Sequence, residues 1–126
     1  MKYPKELTVI IIINAKLKID VNKREGYLKM MDELVKSSRK EEGNLFYHHY
    51  EDVTEKNVFV VVENYKDDKA VQAHNNSEHF KVFSQHIGDF VIEEPEIDVS
   101  QPIEKWLWYF QPWAYQCYNK IIKYYM

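Results

Sequence analysis

The sequence predicts an α+β fold with the ferredoxin-like, split βαβ order of elements: strand, helix, strand, strand, a pair of helices and strand. Runs of β-branched residues and alternation of apolar with polar residues mark the strands, and apolar residues at three- and four-residue spacing mark the helices. The chain has 126 residues, which suits one domain of ordinary size. A four-stranded sheet with helices on one face leaves the other face uncovered, so we expect a second subunit to pack on it.

Residues 7–17 are predicted to form the first strand. The segment is rich in β-branched residues, and its second half alternates apolar Ala15 and Leu17 with Asn14, Lys16 and Lys18. The longest apolar run, residues 9–13, is too short to span a bilayer, and no signal-peptide cleavage pattern follows it. We therefore expect a buried strand in a cytoplasmic protein, with no membrane partner.

The first helix is predicted from an apolar stripe. Its members are Tyr27, Met31, Leu34 and Ser38, with Leu28 and Val35 beside them. Asn22 followed by Glu25 resembles a capping box at the start of this helix. At its end, Gly43 is expected to take the left-handed conformation that stops a helix.

The remaining elements follow in order. Residues 45–51 and 58–65 are predicted to form a hairpin, joined by the turn-like segment 52–57. Asp67 or Asp68 is expected to cap a short helix that ends at His74, and Ser77 to cap another. Residues 90–99 are predicted to form the last strand, in which a proline marks an edge or a bulge.

One sheet face is expected to need a partner. The apolar side chains predicted to lie on it are Ile11, Ile13, Phe46, Val60 and Val62. Water would contact these side chains unless a second subunit covered them, so a homodimer is expected on physical grounds.

Charge and aromatic residues divide the chain into two parts. Residues 1–104 carry 14 basic and 20 acidic groups, whereas residues 105–126 hold three lysines, no acids and nine of the 19 aromatic residues. This break predicts a domain over 1–104 and an aromatic C-terminal extension over 105–126. Packing of the extension on the dimer is preferred over a membrane-surface helix or a segment foreign to the natural protein.

Cysteine content and net charge exclude several classes of protein. The single cysteine, Cys117, rules out an intramolecular disulfide and a cysteine-cluster metal site. The net charge of −3 argues against a nucleic-acid partner. The sequence also lacks a phosphate-cradling glycine loop, a nucleophile elbow and a carboxylate-histidine metal motif, so neither a cofactor nor a metal is expected.

Three short segments carry the most specific motifs. They are Glu41-Glu42-Gly43-Asn44-Leu45-x-Tyr47, Phe59-Val60-x-Val62-Glu63-x-Tyr65-Lys66-Asp67 and Ala70-Val71-x-Ala73-His74-x-x-Ser77-x-His79-Phe80. In order and spacing they resemble the antibiotic-biosynthesis-monooxygenase family of small dimeric α+β barrels, over residues 7–103. The resemblance implies a homodimer that packs sheet against sheet, with a cavity between the sheet and the helices of each subunit. Members oxidise quinols or polyketide aromatics with dioxygen and without metal or flavin, isomerise a phosphorylated ketose, or degrade haem.

His74, Asn14 and Tyr47 are the candidate catalytic residues. A histidine such as His74 titrates near neutral pH and can accept a proton from a phenol, although it can equally cap its helix. Asn14 is a polar residue in an apolar strand, and some family members place an asparagine of the first strand in the cavity; exposure to solvent is the alternative. The resemblance to the family's Gly-x-x-x-Tyr spacing, here Gly43 and Tyr47, implies a place for Tyr47 near the cavity or the dimer seam, but which face of its strand lines the cavity stays open.

Glu63, Tyr65, His79 and Phe83 are the candidate substrate-binding residues. Burial of Glu63 in its apolar strand would raise the pKa of the carboxyl group, and a salt bridge at the dimer interface is the alternative. His79 lacks the four-residue spacing from His74 that a metal site on one helix requires, so a solvated position in the first turn of its helix is the favoured alternative. Phe83 shares a helix face with Phe80.

The function predicted from these residues is cofactor-independent oxidation of a small quinol or polyphenol with dioxygen. Two alternatives stay open: an isomerase of a small phosphorylated or hydroxylated ketone, and a dimer that binds a small molecule without catalysis. Haem is disfavoured, because the resemblance places Ser84 where haem-degrading members have their axial histidine.

Overall fold

A computed structural model describes residues 9–102. The elements are β1 (Ile11–Lys18), α1 (Arg24–Arg39), β2 (Asn44–Glu51), β3 (Val58–Tyr65), α2 (Asp68–Asn75), α3 (Glu78–His86) and β4 (Glu96–Ser100), with short 3₁₀ helices over Val21–Lys23 and Ile87–Asp89. The strand order is β2-β3-β1-β4, and all neighbouring strands are antiparallel. This is the ferredoxin-like arrangement, so the predicted α+β fold is confirmed. The domain boundary near 104 and the packing of the aromatic extension concern residues outside the described range and stay predictions.

The helices cover one face of the sheet and enclose the core with it. All four residues of the predicted stripe on α1 (Tyr27, Met31, Leu34 and Ser38) are buried. Tyr27 is fully buried, and its ring lies 4.9 Å from the ring of Phe59 on β3. The helical spacing of the apolar residues therefore identified the packed face of α1 correctly.

The predicted ends of α1 are wrong in detail. The cap at its start belongs to the preceding 3₁₀ turn, where Asp20 Oδ1 accepts from the backbone N–H of Asn22 at 2.9 Å. Gly43 is not left-handed, since none of the glycines within residues 9–102 has a positive φ. Glycine is needed there for space, because a Cβ on Gly43 would lie 2.3 Å from the Cβ of Ala70. The absent side chain lets α2 approach the connection between α1 and β2.

The caps of the two short helices are as predicted. Asp67 Oδ1 accepts from the N–H of Ala70 at 2.9 Å, and Ser77 Oγ accepts from the N–H of Phe80 at 3.2 Å. Each bond satisfies one of the amides left free at a helix start. These two caps fix where α2 and α3 begin, and His74 and His79 lie on either side of the short connection between the two helices.

The last strand is shorter than predicted. β4 begins at Glu96, whereas Val91 forms only an isolated bridge with Ile19. Pro95 directly precedes the strand, where its missing N–H costs no ladder hydrogen bond. All five residues of β4 are exposed.

The register of the strands decides which side chains face the helices. Ile13 pairs with Glu63, and Glu63 pairs with Tyr47, so these three lie on the helix side of the sheet. Ile11 and Ile13 were expected on the open face; that expectation is wrong, because Ile11 is buried with Tyr65 and Ala70 and Ile13 packs against them. A one-residue difference in strand position moves every side chain to the other face.

The open face carries Ile12, Phe46, Val60 and Val62 together with Asn14, His48 and Tyr50. Phe46, Val60 and Val62 therefore lie where they were predicted. Tyr50 is 51% exposed, and Phe46, Val60 and Val62 are half-buried. Within residues 9–102, none of the helices is long and apolar enough to cross a membrane.

Candidate active site

A cavity of about 380 Å³ lies between the helix side of the sheet and helices α2 and α3. Most of its wall is apolar, with Ile13, Leu17 and Val61 from the sheet and Phe80, Phe83 and Ile87 from the helix side. Tyr47, Glu63 and His74 also line it. The cavity thus combines an apolar wall with a few titratable side chains, which is the usual composition of a small-molecule site.

His74 lies in the last turn of α2 and is 2% exposed. The rings of Tyr47, Tyr65 and Phe80 lie 5.7, 5.4 and 4.8 Å from its imidazole. Burial lowers the pKa of His74, while the neighbouring Glu41 carboxylate acts in the opposite direction. The enclosure therefore favours the neutral imidazole.

The two nitrogens of His74 have different surroundings. Nδ1 lies 2.8 Å from Glu41 Oε2, whereas Nε2 is buried and has no hydrogen-bond partner among the described residues. Because a carboxylate only accepts, a neutral His74 carries its proton on Nδ1 and its lone pair on Nε2. The nearest carboxylate oxygen to Nε2 is Glu63 Oε1, at 3.7 Å.

Glu63 is buried on β3 and lines the same cavity. Burial is the largest influence on its carboxyl group and raises the pKa to about 7, although the hydrogen bond from the Tyr65 hydroxyl acts against it. That hydroxyl donates to Glu63 Oε1 at 2.6 Å. The expected direction of the Glu63 pKa is thus confirmed, and the side chain lies on the helix side rather than on the open face.

The two tyrosines differ in their access to the cavity. Tyr47 lines it, while Tyr65 is fully buried and contacts Glu63 from behind the cavity wall. Burial raises the pKa of Tyr47, and the Glu63 carboxylate adds to this effect. Both phenols therefore keep their protons at neutral pH. The structure also shows which face of β2 lines the cavity, since Tyr47 and not Phe46 points toward the helices.

The structure brings together only some of the predicted site residues. Four of them line the cavity: His74, Tyr47, Glu63 and Phe83. Tyr65 does not line it, and its hydroxyl donates a hydrogen bond to Glu63. Asn14 pairs with Val62 and Asp98 on the open face and is exposed. The expectation that Asn14 reaches the cavity is therefore wrong, because it alternates with Ile13 and Ala15, which do.

His79 and Glu41 form a polar cluster on the outer side of His74. His79 Nε2 lies 2.5 Å from Glu41 Oε2, the same oxygen that contacts His74 Nδ1. His79 is therefore not freely solvated, and it is not among the described residues that line the cavity, so the expectation that it binds substrate there is wrong. Glu41 belongs to the first of the three sequence motifs, but the residues around it in the sequence do not indicate that it contacts His74 and His79, which are 33 and 38 positions further along the chain.

The fold and the cavity together define a class of protein: ferredoxin-like α+β domains that hold a small-molecule cavity between sheet and helices. The chain belongs to the antibiotic biosynthesis monooxygenase family, whose model matches residues 10–86. The resemblance read from the three motifs is thereby confirmed.

Relatives and solved structures agree with this assignment. The chain is 42% identical over 74 residues to a Bacillus subtilis (strain 168) protein named "Putative monooxygenase YcnE". The aligned segment covers 59% of this chain and 78% of that protein. The crystal structure of PA3566 from Pseudomonas aeruginosa has a TM-score of 0.71 and 26% identity, covering 78% of this chain and 98% of that one. A structure titled as a "putative antibiotic biosynthesis monooxygenase" from Caulobacter crescentus CB15 has a TM-score of 0.73 and 25% identity, covering 78% and 93%.

Proposed function

We propose that the protein is a cofactor-independent monooxygenase that oxidises a small quinol or polyphenol with dioxygen. The observation that carries the proposal is the cavity on the helix side of the sheet, apolar over most of its wall, with the Nε2 of His74 and the carboxyl group of Glu63 at its polar end. Membership of a monooxygenase family supports the reaction type.

The cavity suits a small aromatic substrate. Its volume of about 380 Å³ is near the lower end of the range for small-molecule sites, roughly 300–1,000 Å³. Phe80 and Phe83 offer aromatic faces and edges against which a flat ring can pack. A phenolic ring would thus lie in the apolar part, with its hydroxyl group directed toward His74 and Glu63.

The first step of the proposed reaction is removal of the phenolic proton. The lone pair of His74 Nε2 accepts it, and the Glu41 carboxylate at Nδ1 stabilises the imidazolium that results. Tyr47 lines the cavity and keeps its own proton, so it replaces Asn14 as the candidate hydrogen-bond donor to the phenolate.

The second step is the reaction of the electron-rich ring with dioxygen. The phenolate passes electrons to dioxygen, a carbon–oxygen bond forms at a ring carbon that bears hydrogen, and the oxygen–oxygen bond then breaks. One oxygen atom stays on the ring as a quinone carbonyl and the other leaves as water. The substrate supplies all the electrons, so the balance is one phenol and one dioxygen to one quinone and one water.

Oxygen consumption with a panel of quinols and flavonols tests this function. We expect at least one compound to give dioxygen uptake with an equal amount of quinone formed, and ¹⁸O from dioxygen in the product. The assay is run with a metal chelator present, and circular dichroism checks that the protein is folded. Uptake no greater than in buffer for every compound would contradict the proposal.

Isomerisation of a phosphorylated ketone is less well supported. A phosphate needs cations, and among residues 9–102 those that line the cavity include neither lysine nor arginine. Lys66, which follows β3 directly, has its Nζ 3.4 Å from Glu42 Oε1 in an exposed pair. Solvent deuterium incorporation into such ketones, without oxygen uptake, would favour the isomerase; binding without either reaction would favour the non-catalytic alternative.

We also propose that the protein is a homodimer that packs through the open face of the sheet. Phe46, Val60 and Val62 supply its apolar centre, and an interface of this kind would bury on the order of 2,000 Å². Light scattering measures the mass. We expect a dimer for the wild type and a monomer, or at least tenfold weaker association, for Val62→Lys, whose added charge would lie in the interface. A monomeric wild type would contradict this proposal.

A further inference from the structure

We propose that Glu41, His74 and His79 form a binding site for one divalent transition-metal ion of the zinc type, on the outer side of His74. The three ligands come from different elements: the connection between α1 and β2, the last turn of α2 and the first turn of α3. One donor atom from each lies within 4.8 Å of the other two. This set of two imidazoles and one carboxylate is assembled only by the tertiary fold.

The distances fit an ion with small adjustments. Both imidazole nitrogens point at one oxygen, Glu41 Oε2, with His74 Nδ1 at 2.8 Å and His79 Nε2 at 2.5 Å. Zinc–nitrogen and zinc–oxygen bonds of about 2.0–2.2 Å place two ligand atoms of a tetrahedral site about 3.3 Å apart. Each nitrogen-to-oxygen distance therefore needs to widen by less than about 1 Å, and the two imidazole nitrogens, which lie within 4.8 Å of each other, need to come to a similar separation.

A second, independent observation concerns the other nitrogen of His74. Its Nε2 is buried, has no hydrogen-bond partner among residues 9–102 and lies 3.7 Å from Glu63 Oε1. When Nδ1 binds a metal ion, the proton of the neutral ring must be on Nε2, and Glu63 Oε1 would have to approach from 3.7 Å to accept it. A carboxylate that accepts from the second nitrogen of a ligating histidine is the common outer-shell arrangement of metal sites.

The site is open toward solvent on one side. The side chains of Glu41 and His79 are 17% and 24% exposed, whereas that of His74 is 2% exposed. His79 also borders an open groove of about 450 Å³ between α1 and α3. An ion can therefore enter past His79 and keep at least one coordination position for water.

The ligand types select the class of metal. Imidazole nitrogens suit zinc, cobalt, nickel, copper and iron(II), whereas calcium and magnesium prefer sites made of oxygen atoms alone. Cobalt(II) serves as the probe because it takes the same ligands as zinc and absorbs visible light.

The experiment is a titration of the full chain, free of any affinity tag, with Co²⁺, followed by competition with Zn²⁺. A Cys117→Ser background removes the one thiol that could bind the probe elsewhere. We expect about one ion per chain, visible absorption typical of nitrogen and oxygen ligands, and displacement by Zn²⁺ but not by Mg²⁺.

Variants of the ligands provide the decisive comparison. His79→Ala and Glu41→Gln are each expected to weaken binding at least 10- to 100-fold, and the partial exposure of both side chains favours retention of the fold, which circular dichroism checks. His86→Ala is the matched control, since His86 is an exposed histidine of the same helix and lies outside the cluster. Equal binding by the wild type and the folded His79→Ala variant, or no binding by the wild type, would overturn the site. An ion on Nδ1 leaves His74 Nε2 protonated and unable to accept a phenolic proton, so the metal-bound chain and the proposed oxygenase are alternative states of the same histidine. Because the readout is binding, failure of the metal site is distinguishable from failure of the proposed oxygenase activity.

Discussion

The two faces of the sheet are built from alternating residues of the same strands, yet they have different properties. On the helix side, Ile13, Tyr47 and Glu63 line a cavity. Their immediate neighbours Asn14 and Val62 lie on the open face, where Asn14 is exposed and Val62 half-buried. One residue along a strand thus separates a side chain in an enclosed site from one available to a second subunit.

The histidines of β2 show the same contrast. His49 faces the helices and its Nε2 lies 2.8 Å from the hydroxyl of the buried Tyr27. His48, the preceding residue, lies on the open face, and its Nδ1 is 3.2 Å from the Arg39 guanidinium. Burial lowers the pKa of His49, while both slight burial and the Arg39 charge lower that of His48. Residue type alone therefore does not indicate which histidine belongs to the core.

The largest expected effect is on kcat, and it distinguishes a substitution in the cavity from one on the open face of the sheet. With a substrate that gives oxygen uptake, His74→Gln is expected to lower kcat by about 10²–10⁴, because the proton acceptor at the end of the cavity is lost. Asn14→Ala, on the open face, is expected to change kcat less than twofold. Stopped-flow or electrode measurements of dioxygen uptake at saturating substrate check both.

The outcome for Asn14 decides whether the faces are functionally distinct. A loss of kcat in Asn14→Ala as large as that in His74→Gln, with the dimer intact, would show that the open face takes part in the reaction. His86→Gln serves as the control for a histidine substitution in an exposed position.

The periodicity of apolar residues in the sequence was sufficient to predict the helices and strands and many of the buried residues. The stripe on α1 and the caps Asp67 and Ser77 were predicted correctly, because these features depend on residues within a few positions of one another. The side chains of β1 that face the helices were not predicted correctly, because Ile11, Ile12 and Ile13 are all apolar and show no alternation between apolar and polar residues. The role of Glu41 was missed because its partners His74 and His79 are brought to it only by the packing of α2 and α3.

A smaller effect concerns stability on the helix side. The ordinary pKa of a glutamate is about 4.5, and burial raises that of Glu63 to about 7. Between these values the folded chain holds a proton that the unfolded chain has lost, so stability falls as the pH rises from about 4.5 through 7. Glu63→Gln removes this dependence.

We therefore expect Glu63→Gln to gain stability relative to the wild type between pH 4 and pH 8, by about 1–3 kcal/mol. Urea unfolding at both pH values, with a chelator present, measures the difference. A difference between variant and wild type that does not change with pH would mean that the carboxyl group of Glu63 is not perturbed in the folded protein.

The smallest expected effect comes from Glu51, which lies at the end of β2 and has the opposite shift. Arg24 Nη2 donates to Glu51 Oε1 at 2.7 Å and the backbone N–H of Asn57 donates to Oε2 at 2.8 Å. The Arg24 hydrogen bond is the largest cause that lowers the Glu51 pKa to about 2. Its stabilising effect is complete above about pH 4.5 and disappears as the pH falls through 2, the reverse of the behaviour at Glu63.

Solvent reaches the pair of Arg24 and Glu51 and weakens it, so we expect Glu51→Gln to lower the melting temperature only slightly at pH 7 and not at all near pH 2. Arg24→Met should reproduce this pH dependence, and a melting temperature of Glu51→Gln that stays below the wild type by the same amount at both pH values would assign the effect to packing rather than to charge.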